Sequence, residues 1–300
     1  MRHILFGVLL ALGVSSAGAV NLDQYGLTGS WYNPAASGQG FMLEVYPDTV
    51  DAHTGVLFGG WFTYDDQSGE QSWYTLQGNV NDSEDSTRVA IYSSHNGYFD
   101  KLPKGDTFQV GYADISFSDC THGLVEYFFV TTGHGGTIPV TRLTNNLTCS
   151  DDGVPQLFPS NSPYWLSGAW YDKAVPGQGL MFDIDPYAAF MFGGWFTFSN
   201  DQHRSDSSNN QRWYSLQLAQ APQPHAALTD IPIYTTSGGK FTVGGGVTTT
   251  QVGTASLTAS DCNNLRLDYT FTSGENSGAT GTVDLVRPGP TPSSCDFSAP

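Results

Sequence analysis

Positive charge is scarce in this 300-residue chain: 11 Lys and Arg stand against 28 Asp and Glu, a formal net charge of −17. Phosphate backbones are bound by clustered Lys and Arg, and no such stripe occurs here, which argues against nucleic acid and anionic lipid as partners. The acidity itself fits solubility outside the cell. Cysteine is sparse as well, four in all, and none has the C-x2–4-C spacing or the companion histidines of a zinc site, so no metal is expected. No stretch reaches the roughly 18 uninterrupted apolar residues of a membrane-crossing helix. The mature chain shows no 3.6-residue periodicity. Short catalytic signatures are also missing: no H-E-x-x-H, no G-x-S-x-G, no Gly-rich phosphate loop, no EF-hand loop. These absences leave enzymatic activity open while favouring a non-catalytic role, no cofactor is expected, and a Ser-His-Asp site confined to one copy has nothing to select its members.

What the chain does contain is itself, twice. The segment LTGSWYNPAASGQGFMLEV from Leu27 returns as LSGAWYDKAVPGQGLMFDI from Leu166, and LFGGWFTYD from Leu57 returns as MFGGWFTFS from Met191. QSWYTLQ from Gln71 is answered by QRWYSLQ from Gln211. A repeat of this length is a duplicated domain rather than a solenoid unit. Ahead of it, Met1-Arg2-His3, the apolar run Ile4 to Val14 and Ala17-Gly18-Ala19 have the layout of a signal peptide with a cleavage site near Ala19. The expected organisation is a signal peptide over 1–19, a first β-domain over 20–149, a Pro/Ser/Asp linker over 150–163 and a second β-domain over 164–300. The implied location is periplasmic or secreted, with no Cys near the cleavage site to suggest a lipid anchor. Oxidising conditions there lead us to expect one disulfide within each copy, Cys120–Cys149 and Cys262–Cys295.

Glycine, Tyr, Phe, Thr and Val are abundant, and runs of them alternate with turn-rich links such as Asp65-Asp66-Gln67-Ser68-Gly69. This predicts an all-β fold: two tandem antiparallel up-and-down barrel-like (or sandwich) domains of about eight strands each. In the first copy strands are expected near Gly29–Asn33, Gly40–Tyr46, Gly55–Tyr64, Gln71–Gly78, Thr87–Ser94, Thr107–Phe117, Leu124–Thr131 and Thr137–Leu143. Overlaying the copies assigns faces. Phe41/Leu180, Leu43/Phe182 and Val45/Ile184 alternate with the acids Glu44/Asp183, and Val125/Leu267, Tyr127/Tyr269 and Phe129/Phe271 alternate with Glu126/Asp268. Period-2 alternation places these acids toward water.

The third and fourth strands break that rule, carrying large apolar groups on both faces: Trp61-Phe62-Thr63-Tyr64 and Trp73-Tyr74-Thr75-Leu76, with their repeats at Trp195 and Trp213. A barrel has one interior, so the second aromatic face must meet the neighbouring copy, a loop or a ligand. Beside it, Gly38-Gln39-Gly40 recurs as Gly177-Gln178-Gly179. Either the Gln ties its loop to backbone at the barrel mouth, or it serves as a polar handle in an aromatic cleft. The candidate ligand-binding set is Trp31, Tyr32, Gln39, Trp61, Trp73 and Tyr74, with Trp170, Tyr171, Gln178, Trp195, Trp213 and Tyr214 in the second copy. A glycan or a peptide would suit such rings.

The series GxWYxPxxxGQGF, GWFTYD, WYxLxG, a Cys-anchored strand and a closing G-x-I-x-x-x-R-L resembles the tandem WY/GQGF repeat of secreted bacterial proteins of uncharacterised function. The resemblance spans both copies and implies export without implying an activity. The second copy departs from it at Lys173, which replaces the Pro, and in a longer turn after Phe198. LTGSWYN at Leu27 is also similar to the first strand of avidin-like eight-stranded barrels, a match that ends at Asn33. Two further chemistries have candidate residues in the chain. Paired carboxylates from Glu44/Asp183 and Glu126/Asp268 could hydrolyse glycosides at the right separation, and acidic loops such as Asn81-Asp82-Ser83-Glu84-Asp85 could attract calcium. Solvated strand faces and loops account for both more simply. The leading expectation is an exported, non-catalytic binding protein with aromatic clefts for a glycan or peptide. The alternatives are a structural or interaction module of the envelope and an unrecognised hydrolase.

Overall fold

In the computed structural model, residues 20–150, 163–200, 210–220, 227–293 and 295–297 are described. The expected signal peptide and nearly all of the linker lie outside them, as does most of the long turn after Phe198. The chain builds two closed eight-stranded barrels. The first is made of β1 (Gly29–Tyr32), β2 (Gly40–Asp51), β3 (Thr54–Tyr64), β4 (Gln71–Asn81), β5 (Ser86–His95), β6 (Asp106–Asp119), β7 (His122–Phe129) and β8 (Gly135–Arg142). The second comprises β9 (Gly168–Asp172), β10 (Gly179–Asp185), β11 (Phe190–Phe198), β12 (Gln211–Leu218), β13 (Leu228–Ser237), β14 (Thr248–Asp261), β15 (Asn264–Phe271) and β16 (Thr280–Val286). Every neighbouring pair is antiparallel, and the last strand closes on the first through Trp31 opposite Arg142 and Tyr171 opposite Val286. Short links between successive strands leave this up-and-down order as the natural closure, and closure removes the free sheet edges.

Each interior is filled by the inward half of the alternating pattern. Phe41, Leu43 and Val45 of β2, Trp61 of β3, Leu76 of β4 and Phe129 of β7 share one core, and Leu180, Phe182, Ile184, Trp195, Leu216 and Phe271 share the other. Cystines Cys120–Cys149 and Cys262–Cys295 each close within one copy, as expected. Among the described residues no helix is long and apolar enough to cross a membrane.

A third cluster sits between the barrels. Met42, Phe62, Tyr64 and Trp73 project outward from the first barrel and meet Ala169, Met181, Phe196, Phe198 and Trp213 of the second. This is where the surplus aromatic face of β3 and β4 goes: against the neighbouring copy, one of the three options the sequence left open.

Candidate functional site

The seam between the barrels has near two-fold symmetry, as expected when one surface packs on its own duplicate. At its centre the Phe62 and Phe196 rings stack with centroids 4.1 Å apart. Each ring lies over a glycine of the opposite strand, Gly194 and Gly60, where any Cβ would overlap it. Around this stack Trp73 Nε1 donates to the Thr197 carbonyl at 2.9 Å, and Trp213 Nε1 to the Thr63 carbonyl at 3.0 Å. Gln71 Nε2 donates to the Trp213 carbonyl and Gln211 Nε2 to that of Trp73, at 2.9 and 2.7 Å. Polar groups buried in an aromatic layer are thus satisfied across the seam.

The barrels also exchange plugs. Phe99, in the link between β5 and β6, enters the core of the second barrel and lies 5.2 Å from Trp195 and 5.5 Å from Phe271, ring centre to ring centre. Phe241, between β13 and β14, packs reciprocally on the first core, 5.4 Å from Trp61. The Gly-Gln-Gly turns hold these plugs. Gln39 donates through Nε2 to the carbonyls of Lys240 (2.9 Å) and Val243 (3.2 Å), and its Oε1 accepts from Thr63 Oγ1 and the Thr242 amide. Gln178 does the same for the other plug, donating to the Tyr98 carbonyl and accepting from Thr197 Oγ1 and the Asp100 amide. Of the two readings of the Gln, the structure shows the backbone tie, made to the other copy's loop.

The expectation that Glu44 and Asp183 face water is corrected. Both are 1% exposed. Glu44 accepts from the Ala169 amide at 2.5 Å and Asp183 from the Ser30 amide at 2.8 Å, each reaching the start of the other barrel's first strand. Gly168, at φ +107°, makes this approach possible, since a Cβ there would occupy the space of the Glu44 carboxylate. Burial pushes both carboxyls up from their ordinary values, against the opposing pull of Arg287 on Glu44 and Arg142 on Asp183. Arg287 lies 3.7 Å from Glu44. Its guanidinium also covers the Trp170 ring at 4.1 Å, as Arg142 covers Trp31 at 4.5 Å. Sequence reasoning passed over these two arginines, although both copies carry one at the same place. Glu126 is exposed and Asp268, paired with Arg266 at 2.9 Å, is half-exposed, so those acids do face solvent. Glu44 at the seam and Glu126 on the outer wall do not share a cleft.

The candidate rings divide accordingly. Trp31, Trp61, Trp170 and Trp195 lie inside the barrels and are 1–2% exposed. Trp73 and Trp213 belong to the seam, and Tyr74 and Tyr214 point into the barrel mouths beside Phe129 and Phe271. Tyr32 and Tyr171 remain half-buried. Each of these two borders a groove along one side of the seam. The first groove, about 360 Å³, runs from Tyr32, the Gly38-Gln39-Gly40 turn and Met42 to Phe192, Ser215 and Thr249 of the other barrel. The second, about 220 Å³, repeats it with Tyr171, the Gly177-Gln178-Gly179 turn and Met181 against Phe58, Thr75 and Thr107. Aromatic and thioether walls with hydroxyl and amide groups at the rim suit an extended, uncharged ligand. Compared with known proteins, the chain matches no family model, no curated protein and no solved structure.

Proposed function

We propose that the protein is an exported, non-catalytic binding protein that holds a glycan or a peptide in the grooves flanking the seam. The observation that supports this reading is their duplication: Tyr, Gly-Gln-Gly and Met from one barrel face Phe, a hydroxyl residue and Thr from the other, on both sides of the joint. The rings buried in the cores and the seam give the framework its rigidity, and the half-buried Tyr32, Tyr171, Phe58 and Phe192 offer the open faces. Two cystines are compatible with an oxidising location. The test is retention and turnover on glycan and peptide panels by the wild type and by Tyr32→Ala and Phe192→Ser. These variants should bind the retained ligand about tenfold more weakly with an unchanged near-ultraviolet spectrum, the loss of one good ring contact. Retention at wild-type affinity in both variants, or turnover of the retained ligand, would sink the reading.

A second reading, an interaction module of the envelope, is favoured by the outer wall of the first barrel. Phe128, beside Tyr112, and Val130 are exposed there, where the second barrel has Thr270, Thr254 and Thr272. Concentration-dependent sedimentation that disappears in Phe128→Thr/Val130→Thr would support self-association through this wall.

A further inference from the structure

The two seam grooves share a plan but not a length. Along β11 the inward residues Met191 and Trp195 fill the second barrel, while Phe190, Phe192 and Gly194 face outward into the first groove. The Phe62 ring of the other barrel lies over Gly194 and lines the same groove. Same-face positions on a strand recur about every 7 Å, so Phe190, Phe192 and then the Phe62 ring follow one another at about that interval. The second groove has no such third position: Val56 stands in place of Phe190 and lies outside the lining.

The first groove is also free of charge. In a chain with 28 Asp and Glu, no Asp, Glu, Lys, Arg or His among the described residues lines it. A charged group entering it would give up its hydration with no opposite charge to receive it. The polar groups that remain separate a neutral peptide from a neutral sugar. A sugar ring brings several hydrated hydroxyls and needs a partner for each one that leaves water. Gln39 has none to offer: both Nε2 hydrogens go to the Lys240 and Val243 carbonyls, and Oε1 accepts from Thr63 and Thr242. The hydroxyls of Thr236 and Thr249 bond each other at 3.1 Å. Gln217, the cross-strand partner of Phe192, has no side-chain hydrogen bond among the described residues and stands directly beside the row of rings. One free amide next to rings two residues apart matches an extended peptide, whose same-face side chains share that spacing and whose peptide group falls between them.

We infer that the first groove binds an extended, uncharged peptide segment that sets apolar side chains two residues apart on Phe190 and Phe192, with the Gln217 amide hydrogen-bonding the backbone between them. The inference rests on the binding reading above and narrows its ligand from glycan or peptide to peptide. The experiment is a calorimetric titration of the full chain with end-capped serine hexapeptides carrying two phenylalanines, either separated by one serine or adjacent, and with cellotetraose and chitotetraose as neutral glycans. The separated pair should bind about tenfold more tightly than the adjacent pair, whose second ring points away from the groove, the difference of one ring contact. Phe190→Val, which installs the residue that the first copy carries as Val56, should abolish that preference. Tyr171→Ala, in the second groove, should leave it intact. Equal affinity of the two peptides for the wild type, a preference that survives Phe190→Val, or no binding of the separated pair overturns the inference. Binding of either glycan in place of the peptides would overturn it while leaving the binding reading standing, and that reading falls only if the wider panels are blank as well.

Discussion

Truncating one plug should destabilise the barrel that it does not belong to. Phe99 is part of the first copy, yet it is 4% exposed within the second core, edge-on to Tyr269 and Phe271 at 5.6 and 5.5 Å and tilted against Trp195. Phe→Ala in a packed core costs about 3–5 kcal/mol through lost transfer energy and the cavity left behind. Four aromatic neighbours put Phe99→Ala toward the upper half of that range, about 4 kcal/mol. Domains of this size have roughly 5–15 kcal/mol in all, so the variant should stay folded at room temperature. Urea denaturation would read the loss. Hydrogen exchange would locate it, with protection falling along β11, β12 and β15 rather than beside the substitution in β5 and β6. Phe241→Ala is the reciprocal case, expected to cost less because that ring is only half-buried. Phe108→Ala, whose ring is exposed, is the control and should change stability by less than about 0.5 kcal/mol. Should Phe99→Ala cost under about 1 kcal/mol, or deprotect only its own barrel, the exchanged-plug account is wrong.

Two further outcomes follow from buried charge. Burial, together with the nearby Asp48 and Asp82 carboxylates, raises the Asp23 carboxyl to about 6. A raised folded value means that stability is fully present below the unfolded value near 3.9 and is lost as pH climbs through about 6. Asp23→Asn should therefore match the wild type's stability near pH 3.5 and exceed it at pH 7, measured as paired urea midpoints. Gly168→Ala places a methyl where the Glu44 carboxylate sits, at a φ of +107° that alanine resists. A loss of about 2–4 kcal/mol, with the Glu44–Ala169 contact broken, is expected from thermal melts, and a loss below about 0.5 kcal/mol would contradict the clasp.

Which of these features the chain announces depends on whether they follow a period. The strands were legible because alternation in one copy could be checked against the other: eight expected segments near Gly29–Asn33 through Thr137–Leu143 each contain or overlap a strand. The surplus rings of β3 and β4 were legible as surplus, since Phe62 and Trp73 fall on the outward parity of strands whose inward parity is already apolar. That they meet their own duplicate depends on which way around the barrel those strands face, and alternation along a strand carries no such azimuth. Glu44 misled for a related reason. Outward parity means solvent only where the wall is open, and on β2 it is covered by β9 and β10. The available clue lay elsewhere, in Gly29 and Gly168 at the head of each first strand together with Arg142 and Arg287 at the end of each last one. A carboxylate kept in both copies, with an arginine and a cleared glycine to receive it, is more than a solubilising acid needs. Phe99 and Phe241 were silent because a plug in a loop has no period at all. Their only signal is that both copies place a Phe between glycine turns, in NGYFDK and GGKFTV, at positions whose neighbours otherwise differ. In a duplicated chain, then, an apolar residue retained in an otherwise divergent loop is a pointer to the other copy.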